Sequence, residues 1–436
     1  MSSAVICSMP AEGHVRPLLV VARALRERGW RVRFLTGQRY EPLVTAAGIE
    51  FAALPAEADT LDAIGAETDR DRGLASINRG IERAFLAPAP AAGRALLDLV
   101  GQAPADLVIH EPTFVGVQVL YALPERERPL TVLCGLGPLG LSSRETPPYG
   151  LGLQPLARPR LNRLRNRLVG AFATKVVLRP VHRAADRMLA HMGAPRVEGG
   201  FFMDLLSRAD LLAQFTVPGF EFPRPDAPTK LRFYGPMTRS MRGGVEAPAW
   251  FAELDGRRPV VHVTQGTVAN VDLDELVGPT IRALADQDVT VVVTTGGRPL
   301  TDLDALGPLP ANVRAAEFLP YDELLPRTDV LVTNGGYGGL HHAMEHGVPI
   351  VVAGDSEDKV ETSTRVAWSG VGISLRTGRP TADAVRSAVR TILDDPAYAA
   401  ASRRLGDDIA DSRGPGGLLD DIDELLTARG PRPSPV

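Results

Sequence analysis

Along this chain, short apolar runs of strand length alternate with stretches that are apolar on one helical face only. Residues 4–9 form the first run and lead into the loop from Pro10 to His14. From about residue 17 to residue 28, Leu18, Val21, Ala22 and Leu25 share a face; Gly29 then stops the helix and residues 31–36 supply the next strand. Strand, helix, glycine and strand in that order predict a parallel right-handed crossover unit. Residues 107–110 and 130–134 add strands, residues 153–213 read as helical, and residues 218–236 are crowded with prolines and aromatics.

A second alternating series starts at Pro259, with strands expected over 260–263, 289–294, 313–318, 330–333 and 350–352, and a final amphipathic helix over 418–426. Between the two series, residues 237–248 contain Gly243–Gly244 and read as a linker. The pattern predicts an α/β chain of two Rossmann-like domains facing each other across a cleft. The first spans 1–236 and the second 249–412, followed by a C-terminal helix and frayed tail over 413–436.

Composition narrows the function classes. At 436 residues the chain is long enough for two cores, and its 44% hydrophobic and 23% charged content is that of a globular protein. A formal net charge of −4 argues against nucleic acid as partner, because neutralising phosphates needs a basic excess. Locally, Arg158, Arg160, Arg163, Arg165 and Arg167 form a basic stretch, read as a solvated helix face or as a patch for an anionic acceptor or membrane surface. The longest apolar runs are too short to span a bilayer, so stable membrane insertion is not expected. Cys7 and Cys134 lie in strand-like runs and read as buried, reduced thiols of a cytoplasmic protein.

The most informative chemistry follows the strand at 330–333. Asn334-Gly-Gly-Tyr-Gly-Gly339 carries four glycines in five residues and runs into a helix. Glycines let the backbone approach an anion, and a helix N-terminus presents unpaired N–H groups with partial positive charge, so the segment suits phosphate. A purely structural tight turn is the other reading. Neither the dinucleotide fingerprint nor a Walker A loop fits, since the third fingerprint position is His341 and no Gly-Lys-Ser/Thr follows.

With Gly347-Val-Pro349, Asp358-Lys359 and Arg365-Val366 downstream, the layout resembles the donor motif of the family 1 glycosyltransferases. Phe318-Leu-Pro-Tyr321 resembles that family's Trp-x-Pro-Gln, Val261-His-Val-Thr-Gln-Gly-Thr267 its Val-Ser-x-Gly-Ser/Thr, and Gly13-His-Val-Arg-Pro17 its Gly-His-x-x-Pro. Glu221-Phe-Pro-Arg224 and Tyr234-Gly-Pro236 look like its approach to the linker. More narrowly, the chain resembles actinobacterial enzymes that glycosylate macrolide, ansamycin or other polyketide scaffolds.

The resemblance implies the GT-B architecture and an inverting, metal-independent transfer from a nucleotide diphosphate sugar to a hydroxyl of a small acceptor, such as a polyketide or polyphenol. The donor is a substrate, and no cofactor is implied. His14 becomes the general base, a role that suits an imidazole near neutral pH. Glu111 takes the place of the family's orienting Asp, and its extra methylene makes a direct hydrogen bond to His14 less assured. Donor contacts fall on Gly266, Thr267, Phe318, Leu319, Asn334, Gly336, Tyr337, Gly338, Gly339, His342, Asp358 and Lys359.

Three of these positions depart from the family. Asn334 stands for a phosphate-binding histidine, His342 for a ribose-binding glutamate and Lys359 for a sugar-reading glutamine, while Glu357 adds a carboxylate that could pair with Lys359. UDP-glucose is favoured over a TDP-deoxysugar, whose fewer hydroxyls would leave Asp358 and Lys359 less to read. A silent sugar-nucleotide-binding partner and a sugar-nucleotide epimerase are the competing readings. The Asp-x-Asp pairs at 69/71, 272/274 and 302/304 read as solvated surface, and His342 with His346 lacks a third metal ligand.

Overall fold

A computed structural model describes residues 2–60, 74–197, 201–237, 245–267, 270–355 and 358–430. Two parallel sheets organise them. The first has the order β3-β2-β1-β4-β5-β6-β7. Its strands are β1 (Ser3–Cys7), β2 (Arg31–Thr36), β3 (Glu50–Ala53), β4 (Leu107–His110), β5 (Leu130–Gly135), β6 (Leu211–Gln214) and β7 (Leu231–Phe233). The second runs β10-β9-β8-β11-β12-β13. It is built from β8 (Val260–Thr264), β9 (Thr290–Thr294), β10 (Val313–Ala316), β11 (Val330–Thr333), β12 (Ile350–Val352) and β13 (Gly372–Ser374).

Both sheets reverse direction of construction beside their first strand, between β1 and β4 and between β8 and β11. At such a switch point the loops leaving the strand ends diverge and open a crevice, which is where open α/β sheets bind ligands. The strand cores explain the folding: Val5, Ile6, Val108, Ile109, Val263 and Val332 are all fully buried, as expected of strands covered on both faces.

The first helix covers Glu12–Glu27, five residues earlier than the apolar pattern predicted. Glu12 places a carboxylate against the positive helix end, and Pro17 is carried inside the helix rather than opening it. His14 therefore sits in a helical first turn and not in a loop. The expected all-helical middle resolves into helices Pro159–Phe172 and Arg179–His191, followed by β6. Leu-Leu-Ala-Gln is too short for its period to distinguish strand from helix.

The C-terminal helix Gly414–Arg429 returns to the first sheet. Leu418, Leu419 and Ile422 share a core with Leu18, Val21 and Leu25. Asp421 accepts from Tyr234 Oη at 2.6 Å and pairs with Arg413 at 2.7 Å and Arg232 at 2.8 Å.

The domains also meet directly. Val217 and Phe220 join the core formed by Leu340, Met344 and Val366, and Thr216 Oγ1 lies 2.6 Å from His341 Nε2. Arg365 is buried between Glu221 and Glu361, 2.9 Å from each. Gly137, just past the end of β5, approaches Asp358, just past the end of β12; a Cβ on Gly137 would lie 3.3 Å from Asp358 Oδ2. The carboxyl ends of the two sheets thus face one another.

Candidate functional site

Glu111 leaves the end of β4 at the first switch point and is wholly buried. Its carboxylate is fully supplied with donors. Oε1 accepts from Met9 N at 3.0 Å, Oε2 from Thr113 N at 2.6 Å, and the Thr113 hydroxyl lies 2.6 and 2.7 Å from the two oxygens. Burial pushes this carboxyl up. Attraction to His14 and hydrogen bonds from Thr113 and Met9 outweigh it, leaving Glu111 below the ordinary carboxylate range and ionised at neutral pH.

The first turn of the first helix brings His14 onto this anion, with Nδ1 at 3.5 Å from Glu111 Oε2 and 3.2 Å from Thr113 Oγ1. The direct contact is long for a hydrogen bond, and the hydroxyl bridges it. With Thr113 donating to the carboxylate, its lone pair accepts from Nδ1–H of His14. That tautomer leaves Nε2 unprotonated, the form that accepts a proton. The imidazole is 27% solvent-accessible, so it can be reached from outside while the carboxylate behind it is dry.

Thr113 escaped the sequence reading. Its signal is a hydroxyl two residues beyond a carboxylate in Glu111-Pro-Thr, where side chain and backbone can close a small turn. By contrast, His110 is buried and held down at about 4 by desolvation, against the pull of a hydrogen bond to the Glu111 carbonyl; it is a neutral core residue.

At the second switch point, β8 is followed by Gln265-Gly266-Thr267 and β11 by Asn334-Gly335. Asn334 Nδ2 donates to the Gln265 carbonyl and ties the two loops together. Gly335 turns the chain with φ +93°, a conformation that excludes most side chains, and Gly336 opens the helix Tyr337–Glu345. Gly336 and Gly338 are exposed and Gly339 half-buried, and a Cβ on any of the three would meet nothing within 4 Å. The helix start is an open backbone surface, as the phosphate reading requires.

The remaining candidates separate into two groups. Thr267 is exposed beside Gly266, and Phe318 stands 48% exposed beyond the end of β10, lying against Gly297. His342 lies one turn along the helix, 3.4 Å from Glu345 and edge-on to Tyr321. Asp358 precedes the helix Lys359–Ser369 and lies beside Gly137, whereas Lys359 is 6% exposed.

Leu319 and Tyr337 are buried side chains. Leu319 packs with Phe251 and Leu324, and the Tyr337 ring sits 4.4 Å from His341 and 6.1 Å from Phe220 in the seam between domains. Burial drives the Tyr337 hydroxyl well above its ordinary pKa. These two can present only backbone to a ligand there.

Residues 69, 71 and 357 and most of the expected linker lie outside the described residues. Asp274 and Asp302 pair with Arg282 and Arg298, Asp272 caps a turn, and among the described residues no cluster of three His, Cys, Asp or Glu could hold a metal. No described helix is long and apolar enough to cross a membrane. Cys7 and Cys134 are free and buried.

Comparison with known proteins identifies the family. Residues 279–425 match the family described as erythromycin biosynthesis protein CIII-like, C-terminal domain, and residues 11–136 match the glycosyltransferase family 28 N-terminal domain. The chain is 40% identical to a 4'-demethylrebeccamycin synthase of Lentzea aerocolonigenes, over 93% of this chain and 95% of that protein. It is 34% identical to UDP-glucosyltransferase 1 of Beauveria bassiana, over 90% and 89%. The crystal structure of a calicheamicin glycosyltransferase superposes with a TM-score of 0.75, covering 99% and 100% at 22% identity, a likeness of fold.

Proposed function

This chain belongs to the glycosyltransferases of natural-product biosynthesis, and from that premise we propose that it is an inverting enzyme moving a hexose, with UDP-glucose as the favoured donor, to a hydroxyl of a small hydrophobic acceptor of polyketide or polyphenol type. The donor preference draws on the relative named a UDP-glucosyltransferase and on the retention of Asp358. Two unpaired, buried cysteines suit a cytoplasmic setting.

The observation that carries the reading is the pair of switch points: a carboxylate-anchored imidazole leaves one, and a bare helix N-terminus leaves the other. In the proposed step, His14 Nε2 takes the acceptor proton as the hydroxyl oxygen attacks the anomeric carbon from the face opposite the diphosphate. The bond from that carbon to the diphosphate oxygen breaks, and configuration inverts. Glu111, through Thr113, stabilises the imidazolium as it forms. Amides of Gly336–Gly339 and the helix dipole receive the negative charge that develops on the diphosphate, and no metal is invoked.

The test is a mass-spectrometric screen of UDP-glucose and TDP-deoxysugars against polyketide and polyphenol acceptors. A hexose added to an acceptor hydroxyl, with an inverted anomeric centre by NMR, is the expected result. Retention of configuration, or isomerisation of the sugar nucleotide with no acceptor present, overturns the reading.

A further inference from the structure

The helix Pro159–Phe172 is turned inside out. Its buried positions are Asn162 and Asn166, whose amides donate to the carbonyls of Glu145 and Arg144, while Asn162 Oδ1 accepts from Leu156 N. Its apolar positions face water: Leu161, Leu164, Leu168 and Phe172, with Val176 in the following turn, are 50 to 62% exposed. The spacing of three or four residues lays all five along one stripe. A helix packed only for water points such a stripe at the core.

Charge accompanies the stripe. Residues 146–185 carry eight cations and no carboxylate, whereas the rest of the chain carries twelve net negative charges. At about 100° per residue, Arg160 and Arg167 flank the leucines. Next along the chain, Arg179, Arg183 and Arg187 line an open hollow with Val176, Pro180 and Glu82.

We propose that this face docks on an anionic lipid bilayer, as a peripheral helix lying in the plane of the interface. A long apolar stripe, arginine-flanked and with carboxylates only from outside the segment, Glu145 on Arg163 and Glu82 near Arg187, has the chemistry of such helices. A second copy of the chain is a poor occupant, because pairing the face with itself brings like charges together with no acid from the segment to offset them. The inference does not depend on the proposed donor or mechanism.

Flotation of the full chain with vesicles of phosphatidylcholine, alone or mixed with phosphatidylglycerol, tests the proposal. Binding to the anionic vesicles is expected, weakened by salt and at least about tenfold weaker on neutral ones. The variant Leu164→Gln/Leu168→Gln/Phe172→Gln should lose it with an unchanged melting temperature, since its side chains are exposed, and Arg160→Gln/Arg167→Gln should lower it and flatten its salt dependence. Failure of the unmodified chain to float overturns the proposal, as does equal flotation of the triple variant. So does a dimer by ultracentrifugation that the triple variant breaks, which would assign the face to a second copy.

Discussion

The Thr113 hydroxyl stands between His14 and Glu111, 3.2 Å from the imidazole Nδ1 and 2.6 Å from the nearer carboxylate oxygen, while imidazole and carboxylate themselves are 3.5 Å apart. The longer Glu side chain does not simply replace a shorter Asp. It turns back on Thr113 and Met9, and the hydroxyl links it to the imidazole proposed as the base. Thr113→Val should therefore lower kcat about ten- to hundredfold, the size of one hydrogen bond to a charged group, while leaving donor KM nearly unchanged. Thr113→Ser, which keeps the hydroxyl, should retain most of the activity. Steady-state kinetics on both variants distinguish the bridge from a packing role, because packing would be impaired by Ser as well.

Removing the base is a separate test. His14→Ala should reduce kcat by about 10²- to 10⁴-fold, the usual contribution of a positioned general base. If the diphosphate is held on the other domain, as proposed, titration calorimetry should show donor affinity within about twofold of the original. Turnover that survives the substitution would leave the fold standing and remove the mechanism.

Much of this was legible before any coordinates. The β-branched runs that became β8 and β11 predicted a doubly wound sheet, and the glycines after β11 a turn into a helix; the Gly-His after β1 reads as a loop, whereas the helix already begins at Glu12. What escaped has physical causes. β3, β6 and β7 carry no β-branched residue and β13 only one, so at three or four residues neither period nor composition marks them as strands, unlike the equally short Ile-Val-Val of β12. Thr113 matters only because β4 and the first helix bring it between two residues nearly a hundred positions apart in sequence. Tyr337 sits among exposed glycines in sequence, yet the first helical turn directs its ring inward against Phe220 of the other domain.

Two glycines near the second switch point should respond in opposite ways to the same methyl group. A Cβ on Gly354 would lie 2.2 Å from the Asn334 carbonyl oxygen, so Gly354→Ala must shift backbone and should lower the melting temperature. A Cβ on Gly338 meets nothing within 4 Å at a helical position, so Gly338→Ala should melt at or slightly above the unmodified chain. If the helix start grips the diphosphate, Gly338→Ala should instead raise donor KM several-fold. Thermal melts and donor titration of the pair separate fold from binding.

The C-terminal helix supplies a pH-dependent clamp. Burial pushes the Asp421 carboxyl up, but hydrogen bonds from Arg413, Tyr234 and Arg232 prevail and hold it at about 2. A carboxyl depressed in the folded state stabilises above its unfolded pKa of about 4, and that contribution is lost as pH falls through the folded value. Denaturant melts should show a steeper acid loss of stability between about pH 4 and pH 2 for the unmodified chain than for Asp421→Asn. Near neutral pH the Asn variant should be the less stable, by about 1–3 kcal/mol.

Arg365 serves two carboxylates at once, and its loss should be felt in both domains. Its Nε and Nη2 face Glu221 at 2.9 Å, its Nη1 faces Glu361 at 2.9 Å, and its guanidinium lies over Phe222. All three charged side chains are at most 5% exposed, so Arg365→Ala would strand two anions away from water. The cost should be about 3–5 kcal/mol in denaturant melts. Arg365→Lys should recover little of it, because one ammonium cannot form the two-sided fork. Glu361 Oε1 also accepts from the N–H groups of Gly150 and Gly152, so the ion cluster fixes the loop carrying Tyr149, whose hydroxyl burial, then Asp358 and Glu361, push up. Adding Glu361→Gln to Arg365→Ala removes one stranded charge and should restore part of the lost stability. A purely additive double mutant would show that the arginine acts on Glu221 alone.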